Sequence, residues 1–151
     1  MFKFLKSKKG FTLVELMIVV VIMAILVAVA VPIYSAVTAN AKKKTCIGNM
    51  REIVSSVTNS VMLAGGACSG NFVIETNTSG DNGEFKAGTT ALAGVTLDQV
   101  KALFKTVPYC PVAGAKITVT ISSDSDGSNA SVSPVCDQAS AGHVLPTNAT
   151  T

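Results

Sequence analysis

From Phe11 to Ile33 the chain runs for 23 residues with a single charge, Glu15, among Leu, Ile, Val, Met and Ala. As a helix, such a run spans about 34 Å, against roughly 30 Å of bilayer hydrocarbon. An ordinary cytosolic protein has no use for a stretch of this kind, so one membrane-crossing helix is the first expectation. Lys3, Lys6, Lys8 and Lys9 precede it, with no acid among the first ten residues. That asymmetry keeps the N-terminus in the cytoplasm by the positive-inside tendency. Lys42, Lys43 and Lys44 on the far side weaken it without reversing it.

Two plain alternatives fit the same pattern. A secretory signal peptide has a basic start, an apolar stretch and a small-residue cleavage site. Ala28-Val29-Ala30 would serve as that site, releasing a domain that begins at Val31. An uncleaved signal anchor is simpler still. Neither accounts for Glu15. A carboxylate at mid-membrane costs about 2.5–3.5 kcal/mol, so an intramembrane acid calls for a named partner.

Whole-chain composition hides this unevenness. The 151 residues hold 12 Lys+Arg and 9 Asp+Glu, a length expected for one domain, or one domain with an appendage. Without the first ten residues the balance is eight basic against nine acidic, a net of −1. A general nucleic-acid binder would be more basic.

The string Lys8-Lys9-Gly10-Phe11-Thr12-Leu13-Val14-Glu15-Leu16 closely resembles the start of type IV pilins and pseudopilins. The resemblance covers about 35 residues closely and the layout of the remainder loosely. It implies that a prepilin peptidase cuts between Gly10 and Phe11, so that residues 1–10 are a leader, and that Phe11 is then N-methylated. It implies an assembly role for Glu15 together with Phe11. Cleavage exposes an ammonium on Phe11. In a lipid-free filament core a buried carboxylate needs such a cation beside it. The Phe11 amine of a neighbouring subunit would neutralise Glu15 and set the axial register. The apolar helix of residues 11–33 then serves first as a membrane anchor and later as filament core.

Pro32 removes one helical hydrogen bond and clashes with the carbonyl four residues back, so a kink is expected near Ala28. The resemblance implies that the helix continues past it; the alternative is that it stops there. Residues 34–64 read as an amphipathic helix, with Cys46/Ile47, Met50, Ile53/Val54, Val57 and Val61 recurring every three to four positions. Gly65-Gly66 would end it. Lys42–Lys44 reads as a solvated surface run, with lipid head groups or DNA as alternative contacts.

Residues 65–151 are rich in Gly, Ser, Thr, Asn and Asp. A long loop of weak structure is expected over 75–91. Thr96-Leu97-Asp98-Gln99 has the form of a capping box opening a short helix, with Leu97, Val100, Leu103 and Phe104 on one face. Ile117 to Ile121 alternates strictly, as a half-buried strand does. Ser131 to Cys136 reads as the returning strand, placed at an edge by Pro134. The fold class expected is α+β and pilin-like: one long N-terminal helix whose amphipathic half packs on a small antiparallel sheet.

Cys46, Cys68, Cys110 and Cys136 allow three pairings. The domain lies outside the cytoplasmic membrane on this topology, where disulfides are permitted, and reduced structural thiols are the alternative. Cys110-Pro111, a strand, then Cys136 and Gly142-His143 loosely resembles an arrangement in some pilins and pseudopilins. That resemblance implies a Cys110–Cys136 bridge, closing a loop of about 27 residues for roughly 3–4 kcal/mol, and leaves Cys46 with Cys68. The spacing looks too wide for zinc, with no Cys-x-x-Cys and one histidine, so no metal or cofactor is expected and His143 receives no role. Asp124 and Asp126 flank a turn but do not fill the six to eight oxygen positions of calcium. Asn77, Asn129 and Asn148 head short glycosylation triplets close to chance in so Asn-rich a chain.

No nucleophile–base set, phosphate loop or paired catalytic acid is found, and an enzyme is not expected. The functional expectation is a structural subunit of a type IV pilus-like filament, for adhesion, motility or DNA uptake. One alternative is a pseudopilin of a type II secretion or competence system. Another is a minor tip subunit that binds a surface through the 75–91 loop. The resemblance implies as partners further copies of the chain, a prepilin peptidase, an assembly ATPase, an inner-membrane platform and the membrane itself. DNA as a partner has only Lys42–Lys44 to speak for it. The precursor is expected in the inner membrane as a single-pass protein, and the assembled subunit at the cell surface.

Overall fold

The computed structural model describes residues 10–64, 67–124 and 129–145. The leader lysines, Gly65-Gly66, Asp126 and Asn148 lie outside the described residues. The chain divides into two compact units, residues 1–38 and 39–151.

Helix α1 (Leu13–Ala64) belongs to both, and it runs through Pro32 without interruption. Its start is set by a reciprocal cap. Thr12 Oγ1 accepts from the Glu15 amide at 3.2 Å, and Glu15 Oε2 accepts from the Thr12 amide at 2.9 Å. This satisfies two of the donors that every helix N-terminus leaves unpaired. Beyond Pro32, Ser35 Oγ donates to the Pro32 carbonyl at 2.8 Å, and Thr38 Oγ1 to the carbonyls of Tyr34 and Ser35. Each residue from 11 to 37 is exposed. The first unit is therefore an apolar helix with no dry side of its own.

In the second unit, Cys46, Met50, Ile53, Val57 and Val61 are fully buried. Their spacing of three and four residues places them on one helical face, which meets a sheet. That sheet holds β1 (Ser69–Thr76), β2 (Gly83–Ala87), β3 (Lys116–Ser122) and β4 (Ser131–Cys136) in the order β2-β1-β3-β4, all antiparallel. Alternation sends Phe72 and Ile74 of β1, Ile117, Val119 and Ile121 of β3, and Val132 of β4 into the same core as the α1 face. Register follows from that alternation, with Ile74 opposite Ile117 and Ile121 opposite Val132. β4 is an edge strand, the place where a proline costs no ladder bond inside the sheet.

Helix α2 (Leu97–Ala102) opens on Thr96, whose hydroxyl accepts from the Gln99 amide while Gln99 Oε1 accepts from the Thr96 amide. Val100 is buried, and Leu97 and Phe104 pack on the core; Leu103, expected on the same face, is exposed. Phe72, Phe85 and Phe104 form an aromatic chain with ring centroids 5.7 and 5.8 Å apart.

The expected loop over 75–91 is corrected by the structure. Its first residues finish β1, and residues 83–87 form β2. The hairpin between them is closed by Asn77, whose Oδ1 accepts from the Gly80 amide at 2.9 Å and the Asp81 amide at 3.2 Å. Gly80 takes φ +75° there, a conformation that favours glycine. β2 escapes the sequence pattern because only Phe85 of Gly83-Glu84-Phe85-Lys86-Ala87 turns inward. The remaining polar residues suit an exposed edge, where charge discourages pairing with another chain.

Candidate functional site

Gly10, Phe11 and Glu15 lie together at the start of α1, all exposed. Gly10 and Phe11 are open to solvent, Phe11 at 79% relative exposure. Glu15 has a local partner that the sequence pattern Thr-x-x-Glu already signalled and that was overlooked in it. Its Oε2 takes bonds from both the amide and the hydroxyl of Thr12, each at 2.9 Å. Both bonds fall on one oxygen, which leaves Oε1 for a second donor. A carboxylate at a helix N-terminus is also favoured by the helix dipole.

A second constellation lies in the other unit. Cys46 comes from α1, Cys110 from the stretch before β3, Cys136 from the last residue of β4, and His143 from the turn that follows. One ligand atom from each of the four lies within 4.8 Å of every other. Cys46 Sγ is 3.6 Å from Cys136 Sγ, and Cys110 Sγ is 3.4 Å from His143 Nδ1. The relative exposures are 0% for Cys46 and Cys110, 1% for Cys136 and 4% for His143, so water is shut out.

Local structure explains how each arrives. Cys46 begins the buried face of α1, and one turn later Asn49 Nδ2 donates to the Tyr109 carbonyl, tying the helix to the residue before Cys110. Thr76 Oγ1 donates to the Cys110 carbonyl at 2.8 Å from the end of β1. Cys136 is delivered by the β3–β4 register, opposite Ile117. A single 3-10 turn over Ala139–Ala141 then ends on Gly142 at φ +81°, which folds the chain back so that His143 faces the thiols. A Cβ on Gly142 would meet Lys43 Nζ at 2.5 Å. Lys43 is thus half-buried beside the cluster, whereas Lys42 and Lys44 stay exposed as a surface run does.

The electrostatics of the cluster differ from those of three inert thiols. A hydrogen bond from the Cys46 thiol, helped by the Gln138 backbone N–H, holds the Cys136 thiol down at about 7. The same Cys46–Cys136 bond pushes Cys46 up, and burial pushes Cys110 up although the Val112 N–H also bonds its sulfur. Burial, then the Lys43 ammonium, lower the His143 imidazole, which is therefore neutral at pH 7.

The expected pairing of Cys46 with Cys68 is not what the structure contains. All four cysteines are free thiols. Cys68 lies elsewhere in the core, where its amide donates to Ser123 Oγ at 2.7 Å and its sulfur stands against the backbone of Gly94. Cys110 and Cys136 do come together, but as members of the four-residue cluster rather than as a bonded pair. Wide spacing in sequence does not keep these side chains apart, because α1, the pre-β3 stretch and β4 bring them to one point. His143, assigned no role from sequence, is the fourth member. The adjoining Gly142-His143 was the available signal.

Asp124 accepts from Asn129 Nδ2, the role of a turn residue. Residues 5–31 match the family model of the prokaryotic N-terminal methylation motif, the class III signal peptide of type IV pilins and pseudopilins. The apolar part of α1 is long enough to cross a membrane, in keeping with a membrane-anchored precursor. No solved structure matches the chain.

Proposed function

We propose that this protein is a structural subunit of a type IV pilus-like filament, made as a membrane-anchored precursor and polymerised through the apolar part of α1. The observation that carries the reading is the coincidence of the methylation motif at residues 5–31 with an apolar helix exposed on every side from residue 11 to 37. Such a surface needs either lipid or other helices of the same kind around it. A prepilin peptidase that cuts after Gly10 leaves this helix attached and creates the Phe11 amine. In the filament that amine, methylated, sits against Glu15 of a neighbouring copy, with Thr12 holding the carboxylate in place. An assembly ATPase and an inner-membrane platform drive the transfer out of the bilayer, and the assembled subunit is displayed at the cell surface. The role is architectural rather than catalytic.

Intact-mass spectrometry on sheared surface material and on the membrane fraction tests the proposal. A species that starts at methylated Phe11 and is abundant in the sheared material is the expected result. Confinement of that species to the membrane would instead assign a pseudopilin or minor subunit. A chain starting at Val31 would overturn the filament reading altogether.

A further inference from the structure

The buried cluster at the junction of α1, β4 and the C-terminal turn belongs to the second unit, and the filament reading gives it no role. We infer that Cys46, Cys110, Cys136 and His143 form a closed, structural zinc site, three thiolates and one imidazole in tetrahedral array.

Two of the ligand–ligand distances are already close to those of a single-ion site. Zinc–sulfur bonds of about 2.3 Å and zinc–nitrogen bonds of about 2.0–2.1 Å place tetrahedral ligand atoms roughly 3.5–3.8 Å apart. The cluster shows 3.6 Å between Cys46 and Cys136 sulfurs and 3.4 Å between Cys110 sulfur and the His143 nitrogen. All four ligand atoms stay within 4.8 Å of one another. A two-cysteine bridge would account for one of these approaches and leave a third buried thiol and a buried imidazole converging on it without a purpose.

The surroundings are those of a metal-bound sulfur. Thr76 Oγ1 donates to the Cys110 carbonyl at 2.8 Å, and Asn49 Nδ2 donates to the Tyr109 carbonyl beside it, so the backbone that carries Cys110 is held from both β1 and α1. Hydrogen bonds that fix the backbone around a ligand are the work of outer-shell partners in metal centres. Three thiolates, one neutral imidazole and Zn²⁺ sum to a net charge of −1. The Lys43 ammonium, packed against Gly142 at the rim, supplies the compensating cation. Asp137 is exposed, with its Oδ1 3.9 Å from Cys136 Sγ. Soft sulfur ligands in a tetrahedron favour zinc over magnesium or calcium. Four protein ligands leave no open position, so the ion is structural. On binding, each thiol gives up its proton to solvent, and the helix, the sheet edge and the C-terminal turn become joined at one atom.

The test uses the full chain, purified in detergent from zinc-supplemented cells. Elemental analysis is expected to find one zinc per chain in the wild type and in Cys68→Ser, whose thiol lies outside the cluster, and none in Cys110→Ser. Replacement by cobalt in the wild-type chain is expected to give an intense thiolate-to-metal charge-transfer band with tetrahedral visible absorption, a readout that does not depend on any variant folding. A metal-free wild type under these conditions would overturn the inference. So would zinc retained in full by Cys110→Ser, an octahedral cobalt spectrum, or a Cys46–Cys136 disulfide that persists in the presence of excess zinc. None of these results bears on cleavage at Gly10, so the filament reading stands or falls separately.

Discussion

Cys46 and Cys136 are ninety residues apart in sequence and 3.6 Å apart at their sulfurs. One lies on the second unit's stretch of the long helix and the other at the end of the last strand. Their approach determines how the chain responds to oxidation when the site is emptied. Mild oxidation of the chelator-treated chain by a diazene oxidant is expected to join Cys46 to Cys136 first, the two thiols giving their hydrogens to the reagent. Proteolytic peptide mapping checks this. A Cys46–Cys68 peptide as the main product would contradict the arrangement described here.

Glu15→Ala is expected to be cleaved and methylated normally and to yield no filaments. On the proposed reading, cleavage acts on the Gly10–Phe11 bond, which the substitution leaves alone. Assembly would leave the Phe11 ammonium buried without its carboxylate, a loss on the order of 3–5 kcal/mol for each subunit. Comparing intact mass in the membrane fraction with filament yield after shearing separates the two steps. Normal filaments from that variant alone would sink the charge-pairing argument.

Glu75, on β1, lies between Lys86 of β2 and Lys116 of β3, with Lys116 Nζ 2.9 Å from Oε1. Hydrogen bonds from these two ammonium groups, Lys86 first, hold its carboxyl down at about 2. A carboxyl depressed in the folded state adds stability that is complete above the ordinary value of 4.5 and is lost as pH falls toward about 2. An NMR titration of the Glu75 side chain should show the low midpoint. Lys86→Ala should move that midpoint up toward the ordinary range and reduce the loss of stability on acidification.

Phe72 is fully buried at the centre of the sheet and touches the Phe85 ring. Phe72→Ala is expected to cost about 3–5 kcal/mol, because the removed ring leaves a cavity that rigid strands on both sides cannot close. Denaturant unfolding of the full chain in detergent measures the difference. Thr96→Ala, which removes only the cap of a six-residue helix, should cost about 1 kcal/mol by the same measurement.

Much of this protein is written locally. The apolar run from Phe11 to Ile33, the three-to-four spacing from Cys46 to Val61, the Thr96–Gln99 cap and the alternation at Ile117–Ile121 each state their own conformation, because helix and strand periods are properties of neighbouring residues. The methylation motif over residues 5–31 is local for a related reason: it is a short continuous segment. β2 was missed where that logic thins out, since an edge strand with one inward side chain carries almost no period. The metal-like cluster was missed for a deeper reason. Its members stand at positions 46, 110, 136 and 143, and no spacing rule joins them. The amphipathic face of α1, the register that sets Cys136 opposite Ile117, and the left-handed Gly142 each had to act before the four side chains could meet. Sequence alone determined that the apolar run of residues 11–33 makes a helix and that residues 5–31 carry the methylation motif. Only the tertiary structure decided which cysteines face one another, because that depends on distances between elements rather than on the residues within any one of them.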